Sequence, residues 1–102
     1  MKSTTILTIN VLFTGKDKVA IHPNDGFDLG LISPSNHVKL FVNCNDGQFI
    51  EETVDHSIVD LVLPNECKQG TIEMHKILWE KLGKPTKAII KYHEGKIMIE
   101  KK

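Results

Sequence analysis

The stretch Asp-Gly-Phe-Asp-Leu-Gly at residues 25–30 decides the fold, because its last two residues recur as Leu-Gly at residues 82–83. In both places a proline follows within a few residues, and then comes an apolar run that is typical of a strand. The two runs begin at Val38 and at Ala88, and a glycine-containing turn follows each of them. This internal repeat predicts two β-β-α halves fused into one domain that spans residues 1–102.

Seven short segments on either side of these motifs are typical of strands, and no long helix separates them. The dipeptide Asp46-Gly47 predicts a hairpin turn between two of them. The pattern favours a mainly β fold with two short helices and an antiparallel or barrel-like sheet. The predicted strands are residues 6–13, 18–21, 38–43, 48–54, 58–63, 88–92 and 96–100.

The two predicted helices are both short, and a glycine directly follows each of them. The first runs to residue 29, with Asn24 or Asp25 as its N-cap. The second covers residues 73–82, where apolar side chains recur at the spacing of one helix face. Thr71 is a candidate cap for this second helix.

The composition is that of an ordinary folded domain. Hydrophobic residues make up 40% and charged residues 25% of the chain. No apolar run approaches the roughly 20 residues that a membrane-spanning helix needs. The N-terminal residues do not resemble a secretory signal, so we expect a cytoplasmic protein that does not enter a membrane. Cys44 and Cys67 are expected to be free thiols in a reducing compartment.

The charge pattern argues against nucleic acid as a partner. Basic and acidic residues number thirteen each, and every basic residue is lysine. Nucleic-acid readers normally present a basic face with arginine making the bidentate contacts. The C-terminal third is rich in lysine, and Lys84 and Lys87 are the residues there that we consider candidates for binding.

The five histidines do not form a recognisable catalytic or metal-binding motif. We therefore predict no catalytic residues, no metal and no cofactor. His22 and His37 are nevertheless candidate binding residues, because they flank the first helix in loops near two prolines. Trp79 is a further candidate, either as an exposed anchor for a partner or, preferably, as a packed side chain.

The repeat resembles double-psi β-barrel domains, in which each half carries an aspartate, a Leu-Gly pair and a valine-rich strand. The matching residues are Asp25, Leu29, Gly30, Leu31 and Val38 in the first half, and Leu82, Gly83 and Ile89 in the second. The chain looks most like the N-terminal domains of archaeal AMP phosphorylases and of AAA ATPases. The Gly-Asp turn usual before each final strand is replaced by Ser35-Asn36-His37 and by Thr86-Lys87.

This resemblance implies a non-catalytic module that binds other protein chains or assembles with further copies of itself. In the phosphorylases the domain serves oligomer assembly, and in the ATPases it recruits adaptors or substrates. One alternative is a small-ligand or cofactor-binding barrel related to molybdopterin-binding domains. A second alternative is a DNA binder similar to transition-state regulators, suggested by the hairpin of residues 83–100 and disfavoured by the lack of arginine.

Overall fold

The computed structural model describes every residue from Met1 to Lys102, and it contains eight strands and three helices of six residues each. None of the helices is long and apolar enough to cross a membrane. The strands are β1 (Lys2–Ser3), β2 (Leu7–Leu12), β3 (Lys18–Ile21), β4 (Ser35–Val42), β5 (Ser57–Val62), β6 (Thr71–His75), β7 (Lys87–His93) and β8 (Lys96–Lys101), and the helices are α1 (Pro23–Asp28), α2 (Asp46–Glu51) and α3 (Lys76–Lys81).

The strands form one closed barrel. The order around it is β7-β2-β6-β3-β5-β4-β8, and pairing of β8 with β7 closes the ring. The short β1 lies along the same edge of β7 as β2, since Lys2 faces Tyr92 where Leu7 faces Ala88. A closed barrel of seven strands leaves few free edges. The prediction of a mainly β, barrel-like fold is therefore confirmed.

The strand pairing repeats about a pseudo-two-fold axis. At the centre β3 runs antiparallel to β6, with Ala20 opposite Glu73. Each of these strands has a parallel neighbour from the other half, β5 beside β3 and β2 beside β6. A half-turn through the Ala20–Glu73 pair therefore relates β3 to β6, and since α1 and α3 follow at the same spacing, residues 18–30 correspond to residues 71–83. This arrangement has the two halves that the sequence predicted and is compatible with a double-psi barrel.

The repeated Leu-Gly has the same structural role in both halves. Leu29 and Leu82 directly follow α1 and α3, and each is only 1% exposed within the main hydrophobic core. Gly30 and Gly83 adopt positive φ angles of 76° and 87°, which side-chain-bearing residues rarely adopt. The leucine thus packs in the barrel core at the end of its helix, and the glycine turns the chain towards the next strand.

The segment after Asn45 is a helix, so the predicted hairpin and the predicted strand over residues 48–54 are wrong. Asn45 Oδ1 accepts a hydrogen bond from the Gln48 backbone N–H at 2.8 Å, and Gln48 Oε1 accepts one from the Asn45 N–H at 3.0 Å. This reciprocal capping box starts a helix at Asp46. Phe49 then packs edge-on against Phe41 in a second small core, which makes α2 a third helix where two were predicted.

The prediction of one helix over residues 73–82 is also wrong in its first turn. Residues 71–75 form β6, in which Ile72 and Met74 point into the core and the alternating residues Thr71, Glu73 and His75 are half-buried. His75, not Thr71, is the N-cap of α3. The apolar residues that the prediction assigned to one helix face belong to two elements, since Met74 is on β6 and Leu78 is on α3. Their spacing of four residues is also that of neighbours on one helix face, which is why the pattern indicated a single helix.

Candidate functional site

An apolar groove lies beside α1 and contains two of the three most exposed large apolar side chains of the protein. Ile32 is 86% exposed and Phe27 is 71% exposed. The cavity has a volume of about 430 Å³, its polar lining is limited to the amides Asn24 and Asn65, and no charged side chain lines it. We call this surface the α1 groove. Its apolar residues are Pro23, Phe27, Leu31, Ile32, Pro34 and Leu63.

The inner face of α1 is fixed to the loop between β5 and β6. Asp25 is 4% exposed, and its Oδ2 accepts a hydrogen bond from the Gly70 backbone N–H at 2.8 Å. Gly26 packs so closely on Leu63 that a Cβ atom there would lie 2.7 Å from a Leu63 methyl carbon. Because these contacts hold the helix from below, the Phe27 ring remains on the outer face. The α1 groove is therefore a preformed feature of the barrel.

His22 lies at the edge of the α1 groove as the N-cap of the helix. Its Nδ1 accepts a hydrogen bond from the Asn24 backbone N–H at 3.0 Å, and Pro23 occupies the first helical position. Asn24 and Asp25 are thus inside the helix, and their predicted capping role is wrong. His75 caps α3 in the same way, accepting from the Ile77 N–H at 3.1 Å. Both imidazoles stabilise a helix start.

A second apolar surface lies where α3 meets β5. Ile58 is 55% exposed and Ile77 is 48% exposed, and they line a cavity of about 150 Å³ together with the half-buried Leu78. Lys16 and Lys81 also line this cavity, as does Asp17. We call it the α3 surface. The exposed Phe13 ring flanks α3, with the Lys76 ammonium 6.0 Å from its centroid.

His37 and Lys87, two of the residues singled out in the sequence, line neither the α1 groove nor the α3 surface. His37 is on β4, with Nδ1 2.9 Å from Asp60 Oδ1 and a side chain that is 80% exposed. Lys87 begins β7 opposite Thr8 and is exposed. The structure therefore places these two candidates on different strands, β4 and β7.

Trp79 and Lys84 form a local unit at the end of α3. The Trp79 ring is half-buried against the main core, and its Nε1–H donates to the Pro85 carbonyl at 2.8 Å. The Lys84 ammonium lies 5.9 Å from the centroid of the same ring, within reach of a cation–π interaction. Since its ring packs inward and its N–H is satisfied, Trp79 has the packing role that the sequence favoured.

The two cysteines are free and protonated at neutral pH. Burial raises the pKa of the Cys67 thiol to about 11, and the nearby Glu73 and Asp25 carboxylates add to the effect. Burial also raises the pKa of the half-buried Cys44 thiol, as does the charge of Asp46. No group of three or more His, Cys, Asp or Glu side chains is placed to hold a metal ion.

A polar cavity of about 460 Å³ lies beside α2, and most of its polar side chains already have partners, although Glu100 Oε2 makes no hydrogen bond. Asn45 and Gln48 bond to each other in the capping box, and the Asn43 side-chain amide donates to the Lys81 carbonyl at 2.9 Å. The Glu100 carboxylate lies 3.3–3.4 Å from two lysine ammonium groups. Few polar groups are left free there to recognise a ligand.

Phe27 and Ile32 were not identified as functional residues from the sequence. The sequence directed attention to this loop through the histidines and the two prolines, and both prolines do line the α1 groove. A helix of six residues makes fewer than two turns, so its apolar pattern does not show which side chain faces outward. The available signal was that two further large apolar residues, Phe27 and Ile32, lie within three residues of the core residue Leu29.

Similarity to known proteins gives no family for this chain. No protein-family model matches it, and no curated protein matches it. The likeness to double-psi β-barrel domains therefore rests on the quoted residues and on the pairing of the barrel strands.

Proposed function

We propose that this chain is a non-catalytic protein-binding module of the double-psi β-barrel type, and that partners dock in the α1 groove. The observation that carries this proposal is the pair Phe27 and Ile32, which are both strongly exposed and both line one cavity whose polar side chains are Asn24 and Asn65. Clustered apolar surface of this kind is typical of interaction sites, and aromatic anchors contribute most of their energy. The role matches that of the N-terminal domains of AMP phosphorylases and AAA ATPases, which the chain resembles.

The groove chemistry fits a partner that presents apolar side chains. Burying Phe27 and Ile32 together contributes about 3–6 kcal/mol. A micromolar complex needs about 8 kcal/mol. Contacts around the groove must therefore supply the remainder, for example hydrogen bonds to the Asn65 amide and to Asn24 Oδ1, since Asn24 Nδ2 already donates to Gln69 Oε1 at 3.2 Å. Such a balance is typical of a reversible, recruiting interaction.

Preorganisation supports binding at this place. The Asp25–Gly70 hydrogen bond and the contact of Gly26 with Leu63 hold α1 in position before any partner arrives. A partner therefore loses little binding free energy to ordering the groove. The polar side chains elsewhere support catalysis less well, because both thiols are protonated and the His22 and His75 Nδ1 atoms are used in capping.

Site-specific photo-crosslinking tests the proposal. A benzoylphenylalanine at position 27 replaces one exposed aromatic ring with another, and the same group at the exposed Thr53 serves as the matched control. We expect a discrete protein adduct from position 27 in an extract of the source organism and none from position 53. Adding Ile32→Ser should abolish the adduct and leave the melting temperature unchanged, since the side chain is 86% exposed.

Two results of the crosslinking experiment would contradict the proposal. If position 27 gives no adduct beyond those of position 53, the α1 groove is not a docking site. The same conclusion follows if Ile32→Ser leaves the adduct intact, because a ligand in the groove must contact that side chain.

A further inference from the structure

The five histidines differ in what their imidazole rings contact. His37 and His93 each have a carboxylate oxygen within 4.0 Å of a ring nitrogen, and His56 packs against an aromatic ring with 5.4 Å between the ring centroids. His22 and His75 have no carboxylate at that distance. The Nδ1 atom of each instead accepts a hydrogen bond from a backbone N–H at the start of a helix. The protonation state of these two rings therefore matters to the helices that they cap.

The two histidine caps are built in the same way. His22 has φ and ψ angles of −64° and 146°, and His75 has angles of −68° and 148°. In both helices Nδ1 accepts from the N–H of the second helical residue, at 3.0 Å for His22 and at 3.1 Å for His75. Position 22 corresponds to position 75 about the pseudo-two-fold axis. The histidine cap thus belongs to the framework that the two halves share, although the residues that follow it differ.

A histidine caps a helix in this way only while its ring is neutral. The neutral imidazole accepts at Nδ1 when its proton is on Nε2, whereas the protonated ring is a donor at both nitrogens. Protonation would therefore set an N–H of His22 against the N–H of Asn24. It would also put a positive charge at the helix N-terminus, where the backbone dipole disfavours it. Because histidine changes its charge between about pH 5 and pH 8, acid removes the cap.

No carboxylate beside His22 replaces this bond when the ring is protonated. The loop between β5 and β6 lies next to the cap, since Asn24 Nδ2 donates to Gln69 Oε1 at 3.2 Å. The Asp25 carboxylate accepts from the Gly70 N–H, and no carboxylate oxygen lies within 4.0 Å of a His22 ring nitrogen. The charged side chains of α1, of this loop and of the neighbouring strand β6 are Asp25, Asp28, Glu66, Lys68 and Glu73.

We propose that His22 makes the α1 groove sensitive to pH: the neutral ring caps α1 and keeps the groove formed, and protonation opens the first turn of α1 and weakens docking. This inference rests on the proposed function of the groove and adds its regulation. The cap matters because α1 has only six residues and contains Phe27, and a helix this short is not stable alone. Once the cap is lost, the contacts of Asp25, Gly26 and Leu29 must hold the helix without it.

Three substitutions separate the cap from other effects of acid. His22→Asn keeps a side-chain acceptor that does not titrate, since asparagine is among the best N-cap residues. His22→Ala removes the acceptor at every pH. His75→Asn makes the same change at the equivalent position of α3 and leaves the cap of α1 unaltered, so it is the matched control.

Amide hydrogen exchange on the purified chain measures the opening of α1. The informative amides are those of Gly26, Leu29 and Gly30, which donate to backbone carbonyls of α1 or of its N-cap. We expect their protection factors in the wild-type chain to fall about fivefold between about pH 7.5 and about pH 5.5, the usual effect of losing an N-cap. The His22→Asn chain should keep its protection at both pH values, and the His22→Ala chain should show the lower protection at both.

The photo-crosslink from position 27 tests the effect on docking. The adduct yield of the wild-type chain should be higher at neutral than at acidic pH, by up to the same factor, because the partner must supply the free energy that the cap no longer supplies. His22→Asn should remove this difference, and His75→Asn should leave it in place. Titration of the partner itself affects every variant equally, so the comparison between variants cancels it.

The inference is overturned if the protection of α1 in the wild-type chain is the same at both pH values, or if His22→Asn loses protection in acid as the wild-type chain does. An adduct whose yield depends on pH identically in the wild-type and His22→Asn chains leaves the groove a docking site and refutes its regulation by His22. If position 27 gives no adduct at either pH, the docking proposal fails and the regulatory role fails with it. Exchange that depends on pH would then show a structural cap alone.

Discussion

Replacing Gly26 by alanine should destabilise the protein, against the usual effect of this change in a helix. Gly26 lies within α1, where alanine would ordinarily gain up to about 1 kcal/mol. Its Cβ would, however, lie 2.7 and 2.8 Å from the two methyl carbons of Leu63 and 3.3 Å from Cγ. A rotation about χ2 only exchanges one methyl for the other, so the clash is relieved only if the whole Leu63 side chain moves out of its packed position towards the groove. Overpacking of this kind costs about 1–3 kcal/mol.

We therefore expect Gly26→Ala to lower the free energy of unfolding by about 1–2 kcal/mol. This corresponds to a fall in melting temperature of about 5–10 °C for a domain of this size. Urea titration followed by the fluorescence of Trp79, the single tryptophan, measures it directly. The matched control is Gly47→Ala in α2, where the nearest atom would be 3.5 Å away. That variant should be as stable as wild type or slightly more stable.

A second consequence of Gly26→Ala concerns the α1 groove. Leu63 lines the cavity, so a leucine displaced by the new methyl group moves into it and weakens docking at the same time. The reasoning is refuted if Gly26→Ala is as stable as Gly47→Ala, because the helix would then not be held against Leu63. An unchanged denaturant slope is needed for the comparison, since a change there would indicate an altered unfolded state.

Three further outcomes are expected. Asp25→Ala should lower the free energy of unfolding by about 1–3 kcal/mol in the same titration, because the Gly70 N–H loses its charged acceptor. At pH 8 a thiol reagent should modify Cys44 before Cys67, and equal rates would contradict the burial of Cys67. Because the pKa of Cys67 is raised from 9.0 to about 11, its contribution to stability is fully present below pH 9 and is lost as the pH rises from about 9 to 11, so Cys67→Ala should flatten that alkaline decline.

The sequence predicted the barrel well where local signals and burial agree. The repeated Leu-Gly indicated both helix ends, and Gly30 and Gly83 have the expected left-handed backbone. It failed at Asp46-Gly47, because the dipeptide that favours a tight hairpin also fits the first turn of a helix. The neighbouring Asn45 and Gln48 decide between the two by forming a capping box.

The candidate site was predicted only in its location. His22 and the two prolines indicated the loop around α1, yet exposure of Phe27 and Ile32 depends on contacts distant in sequence. Gly26 packs on Leu63, and Asp25 accepts a hydrogen bond from Gly70, which lies 45 residues further along the chain. These contacts between distant parts of the sequence decide which face of α1 is outward. Local periodicity over six residues carries no such information, so the groove itself could be found only in the folded chain.

The differences between the two halves show where each helix has acquired its own surface. Residues 18–30 correspond to residues 71–83. Three core positions stay apolar and buried, because Val19, Ile21 and Leu29 correspond to Ile72, Met74 and Leu82, whereas the buried Asp25 corresponds to the half-buried Leu78. Phe27 corresponds to the exposed Glu80, and the exposed Asn24 corresponds to Ile77. Each helix thus exposes an apolar side chain where the other exposes a polar one.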